Sequence, residues 1–248
     1  MCLIVFHWQP GKQLVVSANR DEFYQRDAAP LSQWSDYPNI YAGRDLSQGG
    51  TWLGVNQHHH FAALTNVRAF GVSPTNPPTR GELVQQFLNS GSSAQDFSQQ
   101  LSQRAHHYAP FNLILSDTQQ LWYISNYPTI NFYEVTPGTH VLSNAQLDVM
   151  WPKAELACNQ LNQWLTQPQD LDKLASLLNH QQIFMDEQLP NTGVGLEMER
   201  LLSAQFIRSE NYGTRCSTGV MITPTQAKIT EITWDKQGTE TQRQKLII

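Results

Sequence analysis

The apolar pattern of this chain changes period four times, and that alternation limits the possible architecture more than any other property of the sequence. Residues 2–8 and 12–18 are β-rich runs separated by Gln9-Pro10-Gly11, a turn in which proline presets φ and glycine accepts positive φ. Residues 51–56 and 60–66 suggest a second hairpin, preceded by Gly49-Gly50, where glycine permits a bulge or a close backbone approach. The spacing then becomes helical over residues 81–88 (Leu83, Val84, Phe87, Leu88) and 94–106 (Phe97, Leu101). Short strands are expected at 111–116, 121–125, 132–135 and 140–143, and helices at 151–165 and 171–178, with Pro152 near a helix start. Strands return at 218–222, 229–234 and 245–248. Strands, helices, strands, helices, strands is an order that predicts two sheets with helices on their outer faces, an α+β arrangement. No linker, repeat or charge run divides residues 1–248, which are expected to form a single domain.

An apolar content of 40% suits a globular core. No segment approaches the roughly 20 apolar residues that span a bilayer, and the apolar run at 3–6 is too short, and lacks the basic flank, for a secretory signal. The expected location is therefore cytoplasmic. Three cysteines, Cys2, Cys158 and Cys216, form an odd and sparse set that fits a reducing compartment better than a disulfide framework. A net charge of −5 supplies no electrostatic footprint for nucleic acid. Neither a zinc-binding spacing nor a phosphate-binding glycine loop occurs.

Cys2 carries the chemistry. A lone cysteine at a strand start is ordinarily a small buried apolar residue, but this one follows Met1 directly. Methionine aminopeptidases remove Met before small residues, which would leave a thiol and a free α-amine on one residue. Such amines titrate near 7.7–8.0 and thiols near about 8.5, so the pair can exchange a proton at neutral pH without a histidine. A cysteine attacking an amide also needs oxyanion donors and a charge that holds the thiolate. Arg20 and Asp21 follow the strand expected to pair with that of Cys2. An arginine there would lower the thiol pKa and an aspartate would fix the α-ammonium. Asn66 ends the run FAALTN, Asn144 ends VLSN, and Arg215 precedes the strand that begins at 218. Trp8, Trp34, Trp52 and Trp122 are candidates to line a cleft between layers.

Taken together these residues resemble a known family. Cys2, Asn19-Arg20-Asp21-Glu22, AGRDLSQGGTWLGVN at 42–56, ALTNVR at 63–68, GTHVLSNAQLDVMWPK at 138–153 and YGTRCST at 212–218 are similar to the motifs of the NRDE-domain family, also called the transport and Golgi organisation protein 2 family. The resemblance implies a branch of the N-terminal nucleophile (Ntn) hydrolases, with a four-layer αββα sandwich and the nucleophile at the start of a central strand. The site pattern is closer still to that of bile-salt hydrolases and penicillin V acylases. It implies Cys2 as nucleophile, Arg20 and Asp21 as its polarising pair, Asn66 and Asn144 serving the oxyanion and the α-amine, and Arg215 supporting the thiolate.

Two functions follow from the resemblance. The family's link to intracellular haem trafficking implies a cytoplasmic carrier that binds haem as cargo and exchanges it with donor or acceptor proteins. Haem is held by axial His, Met, Cys or Tyr. His140, inside a family motif, is the better single candidate, since His58-His59-His60 falls between two strands and three adjacent residues cannot all face one ligand. The alternative is a Cys2-dependent hydrolase, needing no cofactor, that acts on a non-peptide carbon–nitrogen or thioester bond of a small molecule. For biological role the carrier comes first; at residue level the hydrolase has the stronger argument.

Overall fold

The computed structural model describes residues 2–69 and 72–248. Strands β1 (Cys2–Gln9) and β2 (Gln13–Phe23) form the opening hairpin, and Gly11 takes φ 64° in its turn. They are followed by β3 (Ala28–Gln33), β4 (Ile40–Asp45), β5 (Leu53–Asn56) and β6 (Phe61–Asn66), then helices α1 (Gly81–Ser90) and α2 (Ala94–Ser102). The middle of the chain supplies β7 (Phe111–Ser116), β8 (Leu121–Ser125), β9 (Asn131–Glu134) and β10 (Gly138–Leu142), then α3 (Pro152–Leu165), α4 (Leu171–Ala175) and α5 (Leu196–Ser203). Strands β11 (Tyr212–Thr223), β12 (Gln226–Trp234) and β13 (Glu240–Ile247) complete it.

The strands form a six-stranded sheet, β10-β1-β2-β11-β12-β13, and a seven-stranded sheet, β3-β4-β5-β6-β7-β8-β9. Neighbouring strands run antiparallel in both. The period-2 alternation of β1 and β2 sorts their side chains between two cores. Ile4, Phe6, Trp8, Leu14, Val16 and Ala18 meet Leu53, Val55, Phe61 and Ile114 of the other sheet. Leu3, Val5 and Val15 pack instead against Ala154, Ala157, Leu161 and Trp164 of α3. Apolar residues on both faces explain why the start of β1 reads as a continuous apolar run. Helices α1 and α2 cover the far side of the seven-stranded sheet through Leu83, Val84, Phe87, Phe97 and Leu101. The result is the expected four-layer αββα sandwich. Among the described residues no helix is long and apolar enough to cross a membrane.

Several elements differ from the sequence expectation. Strand β2 does not stop at Ala18 but runs through Asn19-Arg20-Asp21-Glu22, because each of these residues has a β11 or β1 partner that completes the ladder. Strands β3 and β4 had no clear pattern, since β3 contains Pro30 and is largely half-buried or exposed. Helix α2 ends at Ser102, and a short 3-10 turn, Ala105–His107, replaces its last part. Trp8 and Trp34 are core residues, and Trp122 packs on the α1/α2 side. Of the four tryptophans, Trp52 is the one that lines the cavity described below.

Gly50 sets the distance between the loop before β5 and the start of α1. A Cβ on Gly50 would lie 2.5 Å from the Gly81 carbonyl carbon and 2.8 Å from its oxygen, and that oxygen accepts a hydrogen bond from Thr51 N at 3.2 Å. The clash is with backbone, which cannot swing aside as a flexible side chain does. Gly50→Ala is therefore expected to cost about 1–3 kcal/mol by urea unfolding, and an unchanged midpoint would show that α1 shifts freely.

Candidate active site

Cys2 stands at the head of an inner strand, paired with Arg20 of β2, which in turn pairs with Cys216 of β11. The alternation that places Ile4, Phe6 and Ala18 between the sheets also turns Cys2 and Arg20 to that side. There the sheets and α1 leave a cavity of about 250 Å³ whose wall includes Cys2, Arg20, Asp45, Trp52, Asn66 and Arg80. Cys2 is half-buried. Burial pushes its thiol pKa up and the Asp21 carboxylate acts the same way, against Arg20 and a hydrogen bond from the Asp21 backbone amide. The resting thiol is thus protonated at neutral pH and needs a base to become a nucleophile.

Arg20 is 5% exposed. Its guanidinium lies 4.3 Å from the Trp52 ring centroid, and Nη2 donates to Asp45 Oδ2 at 3.3 Å. Its Nη1 is buried and finds no hydrogen-bond partner among the described residues. A second guanidinium, Arg26, shares the same Asp45 oxygen at 2.6 Å. Arg80, at the start of α1, donates to Pro110 O at 2.9 Å. Burial lowers its pKa, as does the nearby Arg26, whereas Cys2 and Glu22 oppose the change.

Asp21 also borders the cavity, but the alternation of the strand turns its carboxylate to the other face. Odd-numbered β2 residues face the helix layer, where Ser17 donates to Leu174 O and Asn19 to Leu178 O and Gln205 O. Asp21 Oδ1 accepts from Thr214 Oγ1 at 2.7 Å. Burial raises its carboxyl pKa, and Lys153, Thr214 and Arg20 draw it back. Arg20 and Asp21 are therefore not one ion pair; they serve opposite faces of one strand.

Asn66 ends β6 on the cavity wall. Asn144 is 1% exposed, and its Nδ2 donates to Asn66 O at 2.8 Å. The β1–β10 ladder ends where Ile4 pairs with Leu142, and Asn144 follows two residues beyond it. Asn144 Oδ1 is buried without a hydrogen-bond partner among the described residues. Cys2, Arg20, Asp21, Asn66 and Asn144 are thus assembled around one strand end.

Arg215 is not brought to the cavity wall. It is the extra residue of a bulge between Thr214 and Cys216, and its Nη1 donates to Phe23 O, Tyr24 O and Arg26 O at 2.9, 3.2 and 3.0 Å. It clamps the loop after β2. His140 also lies off the cavity wall. Its Nδ1 is 2.8 Å from Asp148 Oδ2, its Nε2 is 2.8 Å from Thr136 O, and its ring stacks on Phe6. Burial disfavours its charged form, but Asp148 outweighs that and raises the imidazole pKa. With both nitrogens engaged inside the protein, it offers no iron ligand in this arrangement. Met1 lies outside the described residues.

Sequence reasoning passed over two charged residues. Arg80 had no signal beyond its place before a helix. Lys153, within the quoted motif MWPK, is 2% exposed, and its Nζ donates to Leu202 O at 2.8 Å. A lysine in the first turn of a helix opposes the macrodipole, which was the available hint that its charge is needed elsewhere.

Two antiparallel sheets between helix layers, with a thiol at the head of an inner strand, define an Ntn-hydrolase-type fold. Solved structures agree. An N-acylethanolamine-hydrolyzing acid amidase ortholog from Caenorhabditis elegans superposes with TM-score 0.53 at 12% identity, covering 90% of this chain and 93% of its own. A conjugated bile acid hydrolase from Clostridium perfringens gives TM-score 0.60 at 9% identity, covering 98% and 92%. Such identities speak to fold alone. The chain belongs to the transport and Golgi organisation 2 family, whose model matches residues 1–236. Transport and Golgi organization protein 2 homologs from Bos taurus and Homo sapiens are each 31% identical, over 90% of this chain and 88% of theirs.

Proposed function

We propose that this protein is a thiol-dependent hydrolase of a small acyl-amide or acyl-thioester. The observation that carries the reading is the shared cavity: Cys2 opens onto the same wall as Arg20 and Asn66. In this mechanism Met1 is removed and the α-amine of Cys2 takes the thiol proton. Sγ bonds to the substrate carbonyl carbon, whose π electrons move to oxygen. Asn66 and the Nη1 donor of Arg20 serve that oxyanion, and Asn144 Oδ1 accepts from the α-ammonium. Collapse expels the amine or thiol, which takes a proton from the α-ammonium and leaves the α-amine neutral. Water, deprotonated by the α-amine, then attacks the thioester, and the acid leaves as Sγ regains its proton. The amidase and bile acid hydrolase named above support the reading by fold, and the unpartnered Asn144 and Arg20 atoms support it by chemistry.

Its test is a panel of fatty acyl-amides and acyl-thioesters, run with protein whose intact mass shows Met1 removed. Cys2→Ala is expected to lower turnover on the order of 10³-fold or more. Equal turnover in wild type and variant would sink the proposal.

A haem-carrier role in the cytoplasm, exchanging haem with donor or acceptor proteins, is the second reading. Among the cavity-wall residues Cys2 is the one of a type that commonly ligates haem iron, so a haem seated there would bind through its thiolate. Absorbance titration is expected to show a saturable Soret shift in wild type and His140→Ala that Cys2→Ala loses. A wild-type protein with no saturable shift would remove this reading.

A further inference from the structure

The cavity wall carries three arginines, Arg20, Arg26 and Arg80, and three acids, Asp21, Glu22 and Asp45, but they do not pair one to one. Asp45 holds two of the arginines: its Oδ2 accepts from Arg26 Nε at 2.6 Å and Arg20 Nη2 at 3.3 Å, while its Oδ1 accepts from the backbone of Ser47 and Gln48. Glu22 accepts from Phe23 N at 2.9 Å, and its other oxygen lies 3.9 Å from Arg26 Nε. The Asp21 carboxylate meets Thr214 on the helix side of β2. Arg80 donates from Nη1 to a neutral acceptor, Pro110 O, and among the described residues it forms no ion pair.

A guanidinium does not shed its proton to escape burial, so a half-buried arginine without a counter-charge keeps its desolvation cost. An anion in the cavity would offset that cost. Arg80 is also held in place. Pro77 and Pro78 stiffen the segment that leads to it, and the Gly81 carbonyl that follows it accepts from Thr51 N at 3.2 Å. A guanidinium fixed in this way can bind an anion with little ordering of its own.

We propose that Arg80 sets substrate specificity by binding a carboxylate that the substrate carries a few bonds from the carbonyl attacked by Cys2. The open Nη1 of Arg20 is assigned to the oxyanion, so Arg80 is the cation available to another part of the substrate. One uncompensated guanidinium matches one negative charge; a phosphate dianion would call for a second, and Arg20 and Arg26 already share Asp45. The substrate class is thus an acyl-amide or acyl-thioester with a free carboxylate. This inference deepens the hydrolase reading and rests on it for the role of Cys2. Its test reads alkylation rather than turnover, so each can fail while the other stands.

The probes are N-bromoacetylglycine, which ends in a carboxylate, and N-bromoacetylethanolamine, which ends in an alcohol. With each, Cys2 Sγ bonds to the methylene carbon as bromide leaves. Rates at Cys2 are followed by peptide mass spectrometry in the full chain, and the anionic-to-neutral ratio is compared with that of a neutral thiol, N-acetylcysteinamide. Any change in thiol reactivity acts on both probes and cancels in the ratio. Wild type is expected to favour the anion about tenfold over the reference thiol, as one charge-assisted hydrogen bond to a carboxylate gives. Arg80→Gln keeps an N–H for Pro110 O without the charge, and its ratio is expected to fall to within about twofold of the reference. A wild-type ratio equal to the reference, or an Arg80→Gln ratio equal to wild type, would overturn the proposal. Should Arg80→Gln fail to fold, Arg80→Lys decides. It keeps a charge but loses the planar fork, so the preference is expected to drop about threefold, and an unchanged ratio would remove Arg80 from recognition.

Discussion

Arg68→Met is expected to lower the free energy of unfolding by about 3–5 kcal/mol, read from urea denaturation. Arg68 and Glu199 are 4% and 5% exposed, and their closest contact is 2.8 Å. Methionine roughly retains the side-chain volume, so the loss would come from charge rather than from a cavity. It strands the Glu199 carboxylate in the interior with Thr192 donating to it. A buried charge that loses its partner keeps the desolvation penalty and loses the attraction that offset it. Glu199→Gln in the same background replaces that charge with a neutral amide and is expected to recover more than half of the loss. If both variants unfold at the wild-type urea midpoint, water reaches the pair and the interior here is not dry.

Arg20→Met is expected to reduce hydrolytic kcat/KM by about 10²–10³-fold, the range for removal of one oxyanion donor. Two effects act in the same direction. The buried Nη1 donor is lost from the cavity wall, and so is the positive charge that lowers the Cys2 pKa. The sign is fixed by the second effect. With Arg20 gone the thiol pKa rises, less thiolate is present at a given pH, and the alkylation profile of Cys2 moves to higher pH. A variant whose turnover falls while its alkylation profile stays put would assign Arg20 to the oxyanion alone. A variant that retains full turnover would remove Arg20 from the mechanism. Trp52 provides a structural control, since loss of the overlying guanidinium should change its fluorescence.

The two-core alternation of β1 and the first part of β2 was legible because apolar residues report burial directly. Residues 19–22 were not legible as strand: four polar residues read as a strand end, and only the pairing of β2 with β11 shows that the ladder continues through them. The same blindness affected the site. Arg20 and Asp21 are adjacent in sequence, which suggested a pair, but a strand turns adjacent side chains to opposite faces. Arg20 found Asp45, and the Asp21 carboxylate accepts from Thr214 of β11. Arg215 was placed at the site by motif, but the bulge at its own position turns it toward the loop after β2. Asn66 and Asn144 carried weak local signals as strand ends; their hydrogen bond across the two sheets depends on how the layers dock, which no spacing records.

That bond has a mechanical consequence. Asn144 joins the sheets twice, donating from its side chain to Asn66 O and accepting at its own carbonyl from Arg68 N at 2.8 Å. The two bonds act as a hinge pin at one end of the cleft, where the sheets cannot part without breaking both. Across the cavity the wall is loop and helix end, residues 77–81, seated against the β4–β5 loop by Gly50 and Thr51. A ligand larger than the resting cavity would have to enter by displacing that wall. Bulk would thus be accommodated on the α1 side while the reacting atoms stay in register at the pinned end.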